Sequence, residues 1–127
     1  MKTYLLPSTG NFYKANLHCH TTYSDGRLTP QQVKELYLKK GYSVVAYTDH
    51  DILIPHDELN DENFLALHGF EMEIEENQPG VSWAAQKCCH ICFIGIEPEN
   101  LTQPCWHRSK YLGGNAVKYR NQVKFDE

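Results

Sequence analysis

Hydrophobic and polar positions change period several times along the chain, and each change marks an element. Residues 1–13 are polar and turn-prone, with Pro7 and Ser8-Thr9-Gly10-Asn11, and read as a lead-in. Residues 14–19 predict a short strand, in which side chains two apart share a face. His18 and His20 therefore point the same way and Cys19 points opposite. Thr29-Pro30-Gln31-Gln32 predicts a helix start: Thr29 as N-cap, Pro30 at the first helical position, and Gln32 closing a capping box. Val33, Leu36, Tyr37 and Lys40 recur at helical spacing and predict the inward stripe, with Gly41 as the stop. Residues 42–48, Tyr-Ser-Val-Val-Ala-Tyr-Thr, form an apolar, β-branched run that predicts a strand buried on both faces, hence parallel.

Strand, capped helix and strand make a βαβ unit with a right-handed crossover expected. Residues 52–63 are polar and acidic around Pro55, and predict a loop with a short helical turn. Residues 64–75 end in alternation, with Phe70, Met72 and Ile74 on one face and Glu71, Glu73 and Glu75 on the other. Residues 76–80 read as a turn, and residues 84–96 hold a further strand with its core at 90–96. Beyond Glu97 the pattern fades, broken by Pro98, Pro104 and Gly113-Gly114.

At 127 residues the chain is one domain at most. A net charge of −4 argues against a general nucleic-acid binder, which shows a basic face. No apolar run has the length of a membrane span, and Met1-Lys2-Thr3-Tyr4-Leu5-Leu6-Pro7 lacks the features of a signal peptide. The odd count of 5 cysteines, two of them adjacent, suits a reducing compartment, so the cytoplasm is expected.

The polar groups at the presumed strand ends are His18, His20, Asp25, Asp49, His50, Asp51, Glu71 and His90. Both metal-type clusters of the βαβ unit fall at carboxyl ends of parallel strands, where α/β folds place their sites. Imidazole and carboxylate ligands suit zinc, manganese or iron, and carboxylates can bridge two ions. Without thiolates in the set, a closed structural zinc site is disfavoured. The expected chemistry is metal-assisted hydrolysis of a phosphate ester.

His18-x-His20, Ser24-Asp25-Gly26, Thr48-Asp49-His50-Asp51, Gly69-Phe70-Glu71 and His90 in a hydrophobic strand, in that order, resemble the PHP (polymerase and histidinol phosphatase) family over roughly residues 14–96. The resemblance implies an α/β fold, the first portion of a distorted (β/α)7 barrel with parallel strands and up to three divalent transition-metal ions at their carboxyl ends. It implies that His18 and His20 bind one metal, that Glu71 bridges to a second, that His90 helps hold the second, and that Asp25 and His50 hold a third. A metal-bound hydroxide would be the nucleophile, and Asp49 and Asp51 would orient His50 or the water. Glu73 shares a face with Glu71; the Gly-x-Glu match selects Glu71.

Such barrels need about 200 residues or more. The family's later His and Asp-x-His motifs have no counterpart after His90, where His107 and Asp126 remain. The expected organisation is therefore a lead-in (1–13), the N-terminal portion of the domain (14–96), and the start of a missing half (97–127). The expected partners are a small phosphorylated metabolite or nucleotide and, through open sheet edges, a second copy or the missing half. The competing reading is a non-catalytic metal-binding or regulatory half-domain that assembles with another chain.

Other residues carry blander readings. Arg27 could reach a phosphate but reads first as a solvated charge. His56 and His68 read as solvated or structural. Cys88-Cys89-His90-x-Cys92, with Cys105 and His107, contains zinc-ligand types, but adjacent strand residues face opposite ways; these cysteines read as small core hydrophobes. Glu73 and Glu75 read as a solvated strand face.

Overall fold

Thr29 caps the helix as its sequence dictates. Its hydroxyl accepts from the Gln32 N–H at 3.3 Å, and the Gln32 side chain accepts in return from the Thr29 N–H at 3.0 Å. Helix α1 (Pro30–Lys39) follows and ends at Lys40 and Gly41, the latter at φ +76°. The computed structural model describes residues 9–75, 79–85, 87–101 and 103, with backbone only for 73–75 and 83. Most of the lead-in and nearly all of the expected tail lie outside these residues.

Strands β1 (Ala15–Cys19), β2 (Val44–Tyr47), β3 (Leu65–Glu75) and β4 (Cys88–Ile94) form one sheet in the order β1-β2-β3-β4. β1 pairs with β2 and β2 with β3 in parallel, so the expected βαβ unit is present. Expecting parallel strands throughout fails at β4, which lies antiparallel to β3 from Gly69↔Ile94 to Glu75↔Cys88. An antiparallel neighbour needs no crossover helix, and between β3 and β4 the described residues form only a three-residue 3-10 turn, Trp83–Ala85. The arrangement is mixed α/β, consistent with part of a barrel. Residues 57–59 form the short helical turn expected in the loop before β3.

The core lies between α1 and the sheet: Val33, Val45, Tyr47, Leu59, Phe64 and Ala66 are buried there, with Cys19, Leu28, Tyr37 and Leu38 packed around them. The Tyr47 hydroxyl donates to the Pro30 carbonyl at 3.0 Å, pinning the helix start to β2. The helix is rolled relative to the stripe read from spacing. Tyr37 and Leu38 face the core, whereas Leu36 is 42% exposed and Lys40 is exposed. A second cluster, Leu53, Phe70 and Met72 against Phe93, packs farther along β3. Phe70 and Phe93 stack with ring centroids 4.9 Å apart.

No helix among the described residues is long and apolar enough to cross a membrane.

Candidate metal centre

Glu71 is the hub. It projects from the face of β3 opposite Phe70 and Met72, and only 6% of its side chain is exposed. One carboxylate oxygen, Oε2, lies 3.0 Å from His20 Nε2 and 3.1 Å from His50 Nδ1. The other, Oε1, lies 3.2 Å from His90 Nδ1 and 3.6 Å from His18 Nε2. Four imidazoles from β1, the loop after it, the loop after β2, and β4 thus surround one carboxylate. Their rings meet edge to face, with centroids 4.7 Å apart for His18–His20, 4.4 Å for His20–His50 and 5.1 Å for His50–His90. Asp25 completes the rim, its Oδ1 2.7 Å from His20 Nδ1 and its Oδ2 3.6 Å from His50 Nε2. That hydrogen bond and the two nearby imidazoles hold the Asp25 carboxyl below the usual carboxylate range against a desolvation effect that pushes it up. All six residues singled out as ligands from the sequence therefore converge.

The backbone explains why. Between Asn16 and Cys19 the β1–β2 register shifts by one extra residue on β1, the kind of irregularity that re-aims a side chain beside a site. Thr48 fastens that point: its hydroxyl accepts from the Cys19 N–H at 3.1 Å and lies 2.8 Å from His18 Nδ1. Glu71 is bracketed by the loop after β2, donating its N–H to the Asp49 carbonyl and accepting from the Asp51 N–H at 2.7 Å. Asp51 turns the chain at φ +53°, a left-handed conformation that Asp tolerates better than most residues. Gln103, fully buried, secures this turn by donating to the Asp51 carbonyl and accepting from the Leu53 N–H.

Asp49 was expected to orient His50 or a water. Its carboxylate is instead spent on the first loop, accepting from the Thr21 N–H (2.7 Å), the Thr21 hydroxyl (2.8 Å) and the Ser24 hydroxyl (2.6 Å). It is 2% exposed, and the Ser24 hydroxyl also lies 3.4 Å from Asp25 Oδ1. Asp49→Ala leaves both buried Thr21 donors without the carboxylate and is expected to destabilise the chain by about 3 kcal/mol or more. Urea denaturation followed by circular dichroism measures this; a change below about 1 kcal/mol would mean the loop is held by other contacts.

Cys92 was missed as a member of the cluster. It sits directly across from Glu71 in the β3–β4 register, with its Sγ 3.2 Å from His18 Nδ1 and 3.9 Å from Glu71 Oε1. Burial and the Glu71 carboxylate raise its thiol pKa. Period-two spacing from His90 was the available signal. The reading of Cys88, Cys89 and Cys92 as core hydrophobes fails, because β4 is an outer strand of the described sheet and leaves all three exposed; Cys19 is the cysteine that packs under α1. Cys105 and His107 lie outside the described residues.

His56 and His68 are structural. His56 is 4% exposed and packs on Tyr47 and Tyr23; His68 is 5% exposed, with Nε2 3.2 Å from the Asn100 carbonyl. Arg27 is exposed.

The donor set fits a metal ion. Glu71 Oε2 and His20 Nε2 are buried, 3.0 Å apart, yet make no hydrogen bond, an arrangement that ligation of a cation would satisfy. Two groups present ligand atoms all within 4.8 Å of one another: His20, His50 and Glu71, and His18, Glu71 and Cys92.

No protein-family model matches the chain. DNA polymerase/3'-5' exonuclease PolX of Bacillus subtilis (strain 168) is 35% identical over 79 residues, covering 48% of this chain and 14% of that protein. A 5'-3' exoribonuclease of Haemophilus influenzae is 42% identical over 45 residues, covering 35% of this chain and 16% of that protein. The chain thus spans less than a fifth of either relative's length. Both relatives carry nuclease names, and both are similar to a chain whose clustered His and Glu side chains could hold a metal ion.

Proposed function

We propose that this chain forms the N-terminal portion of a PHP-type domain and belongs to a metal-dependent phosphoester hydrolase. The observation that carries this reading is the Glu71 carboxylate shared among four imidazoles, with buried ligand atoms that no hydrogen bond satisfies. His18, His20, His50, His90, Glu71 and Asp25 would hold the metal, of the zinc, manganese or iron class. A bound divalent ion would supply the positive charge that polarises a phosphoryl group and acidifies water.

The chain's own residues set the rest. Asp25 fixes the His20 ring by binding Nδ1, leaving Nε2 to face Glu71. Glu71 and His50 form the buried floor, while His18 (50% side-chain exposure), His90 (40%) and Asp25 (61%) form an open rim through which a substrate can approach. A small phosphorylated metabolite or nucleotide suits this rim and the net charge of −4. A second reading, cleavage of a phosphodiester at a nucleic-acid end, is favoured by the nuclease names of the two relatives.

Elemental mass spectrometry of protein purified without chelator, paired with hydrolysis of a phosphomonoester, a phosphodiester and a short single-stranded RNA, tests this. The expected result is at least one transition-metal ion per chain with turnover, both lost in the His18→Ala/His20→Ala variant. Metal without turnover would favour the non-catalytic half-domain, and no metal would overturn the site.

A further inference from the structure

We propose that Cys92 is a ligand of this centre, giving its His18 side a mixed imidazole, carboxylate and thiolate character that selects zinc over manganese. The proposal rests on the metal-binding reading above and deepens it. Three observations carry it. Cys92 faces Glu71 across the β3–β4 ladder, so its position is set by strand register rather than by a loop. Its Sγ, a carboxylate oxygen of Glu71 and a ring nitrogen of His18 all lie within 4.8 Å of one another. Glu71, which would link the two groups, is 5% exposed and has a buried oxygen with no hydrogen bond. Cys88 and Cys89 pair with Glu75 and Ile74 at the far end of the ladder, away from Glu71.

The chemistry is simple coordination. The sulfur binds as thiolate, its proton passes to solvent, and nothing is oxidised or reduced. Soft thiolate prefers zinc and disfavours manganese, which an all-imidazole and carboxylate set would accept more evenly. A thiol that only hydrogen-bonds His18 Nδ1 would orient that ring without conferring this preference.

Cobalt(II) distinguishes the two roles, because a thiolate ligand adds a sulfur-to-metal charge-transfer band in the near ultraviolet. With the full chain, the cobalt form is expected to show this band. Cys92→Ser should remove it while keeping bound cobalt, and a Cys88→Ser/Cys89→Ser variant should retain it. Zinc affinity of Cys92→Ser should fall about tenfold or more, with manganese affinity changed far less. Zinc should also shield Cys92 of the wild-type chain from alkylation, read by peptide mapping, which needs no variant to fold. Bound cobalt without a sulfur band, a band that survives Cys92→Ser, or alkylation of Cys92 unaffected by zinc would each overturn Cys92 as a ligand while leaving the metal centre intact. Failure to bind cobalt at all would overturn both readings.

Discussion

Glu71→Gln is expected to abolish metal binding while leaving the fold in place. The side chains are nearly the same size, so the packing of Phe70 and Met72 on the opposite face of β3 is undisturbed. The chemistry changes sharply. Oε2 faces His20 and His50, and Oε1 faces His18, His90 and Cys92, so an amide nitrogen in either place sets a non-ligating group among donor nitrogens. Removing a partner that merely orients a ligand costs about 10- to 100-fold in affinity. Loss of the shared carboxylate should exceed the upper end of that range for zinc, measured by calorimetric titration, with the urea midpoint little changed. Binding of wild-type strength in Glu71→Gln would remove Glu71 from its central role and the centre with it.

Gly69→Ala is expected to cost about 3 kcal/mol or more of stability, at the upper end of what overpacking does in a core. A Cβ built at Gly69 would stand 2.3 Å from the Phe93 carbonyl oxygen and 3.1 Å from Thr48 Cγ2. The nearer obstacle is backbone and cannot rotate away. Relief requires β4 to move off β3, which breaks the Phe70↔Phe93 pair and its stacked rings. His90 and Cys92 ride on the same strand, so metal affinity should fall together with the urea midpoint. A stable variant with intact metal binding would mean that β4 does not lie against Gly69. The glycine of the Gly-x-Glu signature thus has a physical ground: it lets one strand approach closely beside the carboxylate.

Much of this was legible because it is local. Thr29, Pro30 and Gln32 specify a helix start among themselves, and the run at 42–48 carries its own burial on both faces. The ligand residues stood out because two histidines on one strand, and polar clusters at strand ends, are patterns within a few residues. What stayed hidden depends on partners far along the chain. Alternation looks the same whichever way a strand runs, so the direction of β4 could not be read. Leu36 and Tyr37 both fit helical spacing, and only the sheet beneath decided that Tyr37 and Leu38 turn inward. Asp49 sits beside His50 in sequence, yet its acceptors serve Thr21 and Ser24, which the parallel pairing of β1 and β2 brings near. Cys92 could have been found by applying to His90 the period-two logic that joined His18 to His20.

The bonds converging on Asp49 have a thermodynamic consequence. All three run between protein groups, so the loop carrying His20 and Asp25 is fixed by folding itself. The entropy of arranging these donors is then spent once, before any ligand arrives, and binding energy goes into affinity rather than into ordering the chain. This is the reverse of a zinc finger, whose chain folds only with its ion. A chelator should therefore strip the ion and leave the far-ultraviolet dichroism unchanged. Added zinc should raise the melting temperature only by the mass-action increment that its concentration and dissociation constant dictate.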